Sequence, residues 1–328
     1  VRLPVFADVD TGVDDAMALV YLLASDDAEL LGVASTGGNV DVDQVCRNNL
    51  DLLQLCGASR VPVSRGAGQP LSAPLRTAED THGPAGLGYA ELPPALQQPT
   101  SYDAAEAWIR AARSHPGALV GLVSGPLTNL ALALHAEPDL PRLVRRLVIM
   151  GGSFDYRGNT TPVAEWNISV DPEAAAGVLD GWGRAADPPI VCGLNLTENV
   201  VMTPEIMARL AEAADSTVSD PNPLIRVLQD AMRFYFEFHA SQGEGYLAHL
   251  HDPLAAAVAL DPDLIRTRAA PVAVELTGTL TRGMTIADWS GRWGRDANAQ
   301  VGVEVNPAAF FERFIGCVAP FARRLAHS

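Results

Sequence analysis

The chain reads as a regular alternation of short apolar runs and amphipathic stretches. Runs rich in Val, Ile and Leu at 3–6, 30–35, 61–63, 119–123, 147–150 and 189–192 are too short for helices and show little polar alternation. Such runs predict strands buried on both faces. Between them, 14–24, 42–55, 104–113, 127–134 and 172–179 carry apolar residues at helical spacing. Strand and helix in this order predict an α/β fold, an open and mostly parallel central sheet flanked by helices. Ligands of such sheets bind beyond the carboxyl ends of the strands, so polar residues directly after the strands are the first candidates for chemistry.

After Leu196 the pattern changes. Residues 220–238 and 251–260 predict helices joined by the Gly-containing stretch 241–245. Strands at 272–276, 284–289 and 300–305 and a final helix at 308–326 follow. The Pro- and Gly-rich segments 62–74 and 81–94 predict surface loops. Neither has the sustained bias of a linker, and no internal repeat is present. One domain over 1–328 is therefore expected, with a helical insertion near its C-terminal third.

Composition narrows the function classes. Of the 328 residues 48% are hydrophobic and 19% charged, which excludes disorder as the main character. The net charge of −16 repels phosphate, so no nucleic-acid partner is expected. All 23 basic residues are Arg, which removes Schiff-base chemistry, a P-loop Lys and a Ser–Lys dyad. Cys46, Cys56, Cys192 and Cys317 form no C-x-x-C pair and read as buried thiols in a reducing compartment. No apolar run approaches the ~18 residues of a membrane span. The opening VRLPVFADVD has no basic-then-apolar leader, although a first residue of Val leaves earlier processing open. A soluble, cytoplasmic protein without a membrane partner is the expectation.

The most informative segment is Ala7-Asp8-Val9-Asp10-Thr11-Gly12-Val13-Asp14-Asp15-Ala16, directly after the first strand and at the start of a helix. Helix capping accounts for Asp14 or Asp15 but not for Asp8 and Asp10 as well. Four like charges packed this closely call for a cation, and carboxylate oxygens suit Ca²⁺ or Mg²⁺. An EF-hand counted from Asp8 would need an acid or amide where Gly12 stands and Glu where Leu19 stands, so that reading fails. A haloacid-dehalogenase-type Mg²⁺ phosphatase, with Asp8 or Asp10 as nucleophile, shares Asp8-Val9-Asp10-Thr11 but has Gly12 next and no downstream Lys.

The segment D-x-D-x-G-x-D-D-A resembles the amino terminus of the inosine–uridine nucleoside hydrolases, and the resemblance continues in order. It runs through Ser35-Thr36-Gly37-Gly38-Asn39, Thr81-His82-Gly83 to Gly88, Ser124-Gly125-Pro126-Leu127-Thr128-Asn129 and Met150-Gly151-Gly152. Asn159, Ala164-Glu165-Trp166-Asn167, Asp171-Pro172-Glu173, His251-Asp252-Pro253 and Thr281-Arg282-Gly283-Met284 complete it, over about residues 3 to 305.

The resemblance implies calcium-dependent cleavage of the N-glycosidic bond of ribonucleosides to base and ribose, in nucleoside salvage. It implies Asp10, Asp15 and Asp252 as side-chain Ca²⁺ ligands and the Ser124 carbonyl as another. Calcium acidifies water less than zinc does, so a separate base is needed, and Asp10 is the expected one. Asp14 is expected to face the ribose 2′-hydroxyl with Asn39 at the same rim. Asn159, Glu165 and Asn167 would hold the remaining hydroxyls, with Met150 as floor. His251, beside Asp252, would protonate the departing base, and His82 would contact the base from its Gly-rich loop. Purine-specific relatives often carry Trp at the position of His251, so His there is similar to the inosine–uridine or pyrimidine-preferring branch.

Several alternatives accompany this reading. His249 and His251 with Asp252 could form a zinc cluster, but no third well-spaced His or Cys supports it. The stripe Tyr235, Phe238 and Tyr246 fits a helix face and reads as core, with Tyr246 a candidate base contact. Asn195 is unassigned. A non-catalytic nucleoside-binding protein of the same fold is the remaining alternative. A homodimer or homotetramer is expected.

Overall fold

The computed structural model describes residues 2–183 and 185–327. Its strands, in chain order, are β1 (Leu3–Val9), β2 (Ala28–Ser35), β3 (Val63–Arg65), β4 (Leu119–Val123), β5 (Val144–Met150), β6 (Ile190–Cys192), β7 (Val201–Met202), β8 (Ala248–His249), β9 (Ile265–Ala270), β10 (Val272–Val274), β11 (Thr285–Ala287) and β12 (Ala299–Val305). Eight of them form the central sheet in the order β3-β2-β1-β4-β5-β6-β12-β9. All neighbours are parallel except β12 and the edge strand β9. β7 with β8 and β10 with β11 make two short antiparallel ribbons.

The sheet is covered on both faces, as its near-continuous apolar strands require. Along β1, Val5, Ala7 and Val9 pack with the helices Val13–Ala24, His251–Leu260 and Pro307–Ala326, through Met17, Val258, Phe310 and Phe314 among others. Phe6 faces the opposite side and meets Trp108 at a ring-centroid distance of 4.8 Å, within a second core that includes Leu119, Leu130 and Trp182. Helix starts follow local rules: Asp41, Asp103 and Asp171 cap their helices with side-chain oxygens, and Asn222 and Asn306 do so ahead of Pro223 and Pro307.

The same alternation decides the place of Asp8. It lies on the Phe6 side of β1, fully buried, and accepts hydrogen bonds from Trp108 Nε1 at 2.7 Å and Asn129 Nδ2 at 3.0 Å. Burial pushes its carboxyl up to about 7, against the pull of those two donors. Of the four acids in the opening loop, Asp8 is thus a paired core group turned away from the other three. This removes Asp8 as a phosphatase nucleophile.

The helical insertion consists of Pro204–Ala213 and Pro223–Ser241 between β7 and β8. The second helix begins later than the pattern predicts because Asn222 accepts from the amides of Leu224 and Ile225 and sets the start. Among the described residues no helix is long and apolar enough to cross a membrane. Strand order reverses between β1 and β4, and at such switch points parallel sheets open a crevice beyond their carboxyl ends.

Trp108→Phe keeps the ring and strands one oxygen of buried Asp8. Urea unfolding of this variant should show a loss of about 1–3 kcal/mol, the cost of an unsatisfied buried polar group. An unchanged unfolding free energy would contradict the role assigned to the Trp108–Asp8 bond.

Candidate active site

The crevice at the switch point is floored by carboxylates. β1 ends at Val9 and delivers Asp10. The helix Val13–Ala24 presents Asp14 and Asp15 in its first turn, and the helix His251–Leu260 presents Asp252 in its own. All four are buried. Asp14, Asp15 and Asp252 each offer a carboxylate oxygen, and these oxygens lie within 4.8 Å of one another. Asp15 is held from several sides: Oδ2 accepts from the Gly12 amide at 2.9 Å and from Asn39 Nδ2 at 3.3 Å, and Oδ1 accepts from Ser124 Oγ at 2.6 Å. The Gly12 bond is a helix cap, so Asp15 serves both the helix and the floor. Asp10 Oδ2 accepts from the Asn39 amide at 2.9 Å, and Asp10 Oδ1 is buried without a partner.

These carboxyls are held above their ordinary range. Burial is the main cause for all four; Asp14 is pushed to about 7 and feels Asp15, and Asp10 and Asp252 go well above their usual value with the other aspartates adding to the effect. Three carboxylates this close relieve their mutual repulsion when one of them takes up a proton. A divalent cation would do the same neutralising work with all charges retained. The all-oxygen donor set, the close carboxylates and the partnerless Asp10 Oδ1 fit a hard cation of the calcium or magnesium class.

Above the floor lies a cleft of about 600 Å³, the right scale for a small ligand. One wall follows β4 and β5. The Ser124 carbonyl and the Met150 carbonyl both accept from Asn167 Nδ2, at 2.7 and 3.2 Å, and Met150 Sδ lies 3.4 Å from the same nitrogen. Glu165 caps the helix Trp166–Val170, accepting from the amides of Gly152, Asn167 and Ile168 at 2.8–3.0 Å, while burial raises its carboxyl to about 7. Asn159 is exposed at the mouth, and its Oδ1 accepts from the Trp166 amide at 2.9 Å. Asn39 closes the opposite rim.

The other wall is rich in imidazoles. His251 is buried beside Asp252, and its Nδ1 lies 2.7 Å from Thr197 Oγ1. His82 Nδ1 accepts from the Val13 amide at 3.1 Å, and burial lowers its ring to about 3, so it stays neutral. Rings then follow in a row: His82 to Tyr235 at 5.4 Å, Tyr235 to His239 at 4.7 Å, His239 to His249 at 5.2 Å and His249 to His251 at 5.9 Å.

The structure thus brings Asp14, Asn39, His82, Ser124, Met150, Asn159, Glu165, Asn167, His251 and Asp252 to one cleft, with Asp10 and Asp15 in its floor. The close carboxylate trio contains Asp14 where the resemblance has Asp10. Sequence reasoning missed Arg157, Glu198, His239 and Glu244, and it read Tyr235 and Phe238 as core although both line the cleft. Tyr246 instead packs on Phe236 at 5.1 Å, 48% exposed and outside the cleft lining. The available signal was Tyr235 and His239 at i, i+4 on one helix face. Asn195 is structural, donating to the Gly302 carbonyl at 3.0 Å.

A mostly parallel α/β sheet with a cation-fitting carboxylate floor and a polar cleft at its switch point defines an α/β protein with a small-ligand site. The chain belongs to the inosine-uridine preferring nucleoside hydrolase family, whose model matches residues 5–312. It is 36% identical over 311 residues to the pyrimidine-specific ribonucleoside hydrolase RihA of Citrobacter koseri, across 94% of this chain and 96% of that protein. It is 34% identical over 321 residues to the protein of the same name from Shewanella woodyi, across 98% and 99%. Among solved structures it resembles a purine-preferring ribonucleoside hydrolase from Gardnerella vaginalis with a TM-score of 0.90 and 30% identity, across 98% of this chain and 99% of that one. These relatives are ribonucleoside hydrolases, N-glycosidases that act on nucleosides, and the chain is an enzyme of that kind.

Gly38 lies so close to the floor that an added Cβ would stand 2.1 Å from Asp10 Oδ2. Gly38→Ala should lower the unfolding free energy by about 1–3 kcal/mol through overpacking. Gly316→Ala, in the helix Pro307–Ala326 with nothing within 4 Å, should instead add about 1 kcal/mol. Paired urea titrations check both signs, and equal effects would contradict the tight seat of Asp10.

Proposed function

We propose that the protein is a calcium-dependent pyrimidine ribonucleoside hydrolase, releasing a free base and ribose in nucleoside salvage in the cytoplasm. The observation that carries this reading is the meeting, in one cleft, of a buried aspartate floor, an amide-rich wall and the His82–His251 wall. The relatives named as pyrimidine-specific match nearly the whole chain at 34–36% identity, against 28–30% for the solved purine-preferring and inosine-guanosine enzymes, and they favour a pyrimidine base. The four free cysteines, three of them buried, suit a reducing compartment.

Asp10, Asp15, Asp252 and the Ser124 carbonyl would hold the calcium ion, with Asp14 beside them facing a ribose hydroxyl. Bound there, calcium supplies a hard positive charge that neutralises the carboxylates and orders hydroxyl-bearing ligands beside them. Asn39, Asn159, Glu165 and Asn167 bind the ribose hydroxyls and fix the sugar against Met150. Asp10 takes a proton from the attacking water at Oδ1, the oxygen with no protein partner. A C–O bond forms at the anomeric carbon as the C–N bond breaks, and charge builds on the sugar and on the departing base. Protonated His251 donates from Nδ1 to the Thr197 hydroxyl and from Nε2 to the base nitrogen, and giving up the Nε2 proton returns the ring to the neutral form that burial favours. His82, neutral and buried, offers a hydrogen bond to the base without adding charge.

Ribose release from a panel of uridine, cytidine and inosine tests the reading. Uridine or cytidine should exceed inosine in kcat/KM by about tenfold or more, a difference of about 1.4 kcal/mol. No release from any nucleoside in the presence of Ca²⁺ would overturn it. Asp10→Ala should cost roughly 10³-fold in kcat as the base is lost. His251→Ala should cost roughly 10²-fold or more on uridine and far less on p-nitrophenyl riboside, whose leaving group needs no proton. Equal losses on the two substrates would argue against His251 as the acid.

A further inference from the structure

The cleft holds a second convergence of ligating groups that the hydrolytic reading does not use. We propose that His239, Glu244 and His249 form a separate metal site for a borderline divalent transition ion of the zinc class, independent of the aspartate floor. One ligand atom from each lies within 4.8 Å of the other two, and all three residues line the cleft.

The local fold builds this cluster. The helix Pro223–Ser241 carries His239 in its last turn. The chain then reverses at Gly243 (φ 79°) and Gly245 (φ 101°), conformations in which a side chain would be strained. The Glu244 amide donates to the His239 carbonyl at 3.1 Å, which folds the carboxylate back over the imidazole. β8 returns His249 to the same spot. Glu244 Oε2 lies 2.7 Å from His239 Nδ1 and 3.7 Å from His249 Nε2. Four donors around one zinc ion at ~2.1 Å stand about 3.4 Å apart, so these separations need only small adjustments.

Proton accounting points the same way. His249 Nδ1 lies 3.0 Å from the Glu198 carbonyl, which can only accept, so Nδ1 carries the hydrogen. When the ring is neutral, Nε2 turns its lone pair toward Glu244 Oε2 at 3.7 Å, an oxygen that also lies at hydrogen-bond distance from His239 Nδ1. A cation between them satisfies both. The Nδ1–H to carbonyl bond is the outer-shell contact that orients metal-binding histidines. His239 Nδ1 stands at hydrogen-bond distance from Glu244, and its Nε2 is buried with no hydrogen-bond partner among the described residues.

The surrounding charge suits a cation. Arg157 pairs with Glu198 at 2.9 Å and lies 4.0 Å from Glu244, so one guanidinium faces two carboxylates and one negative charge is left over. Two imidazole nitrogens with one carboxylate select zinc-class ions, whereas the aspartate floor offers only oxygen and suits calcium. The two sites are thus distinguishable by the hardness of the ion.

The test loads the full chain with excess Ca²⁺, adds Zn²⁺, dialyses against Ca²⁺ buffer and counts retained zinc by mass spectrometry. The wild-type protein should retain one Zn²⁺ per chain. Glu244→Gln, nearly isosteric and partly exposed, and His249→Ala should each bind zinc roughly tenfold or more weakly, with unchanged circular dichroism. Asp252→Asn should retain it. Zinc absent from the wild-type protein, or retained equally by Glu244→Gln and His249→Ala, would overturn the proposal. So would zinc lost on Asp252→Asn, because the ion would then sit at the aspartates.

Discussion

The structure depends on burying four carboxyl groups against one another where the sheet reverses its strand order. Asp10, Asp14, Asp15 and Asp252 come from three separate elements, and each is less than one-twentieth exposed. Desolvation and mutual repulsion both disfavour their charged forms. The fold offsets part of this with fixed donors: the Gly12 and Asn39 amides, the Asn39 side chain and the Ser124 hydroxyl. Two helix N-termini add to it, because Val13–Ala24 and His251–Leu260 both begin at the cluster, and a carboxylate in a first turn gains about 0.3–1 kcal/mol from the helix dipole. What remains is a cluster of acids whose repulsion is only partly offset, and the cleft is built above it.

Much of this was legible in the sequence because parallel strands and amphipathic helices announce themselves by pattern. The predicted bounds 119–123, 42–55 and 251–260 coincide with Leu119–Val123, Val42–Leu55 and His251–Leu260. β9 escaped notice for a physical reason. As the antiparallel edge strand it carries Arg266 and Arg268 outward, so its apolar content is low. The helix Pro204–Ala213 was also missed, although Thr203 ahead of Pro204 is a cap signal. Asp8 could have been separated from its neighbours by parity, since residues two apart on a strand share a face and Phe6 packs on Trp108. His239 and Glu244 were harder: a helix-face stripe reads as core, and only a turn built on two glycines with positive φ brings Glu244 back over His239.

The site residues are scattered from Asp10 to Asp252, yet each group follows a strand end or opens a helix, where α/β folds place chemistry. That architecture sets the aspartate side of the cleft. The other side is built differently, from the insertion helix Pro223–Ser241 and its turn, with Tyr235, Phe238, His239 and Glu244. Relatives with purine and with inosine-guanosine in their names share the fold at TM-scores of 0.85–0.90, while the relatives named pyrimidine-specific are the nearer in sequence.

The aspartate floor is proposed as a cation site that hydrolysis requires. The most direct measurement is uridine hydrolysis by the purified protein after exhaustive chelation and then on stepwise return of Ca²⁺. Ribose release should fall to background on chelation and recover with one Ca²⁺ bound per floor, and Asp252→Asn should abolish the recovery. Full turnover by the metal-free protein would contradict it.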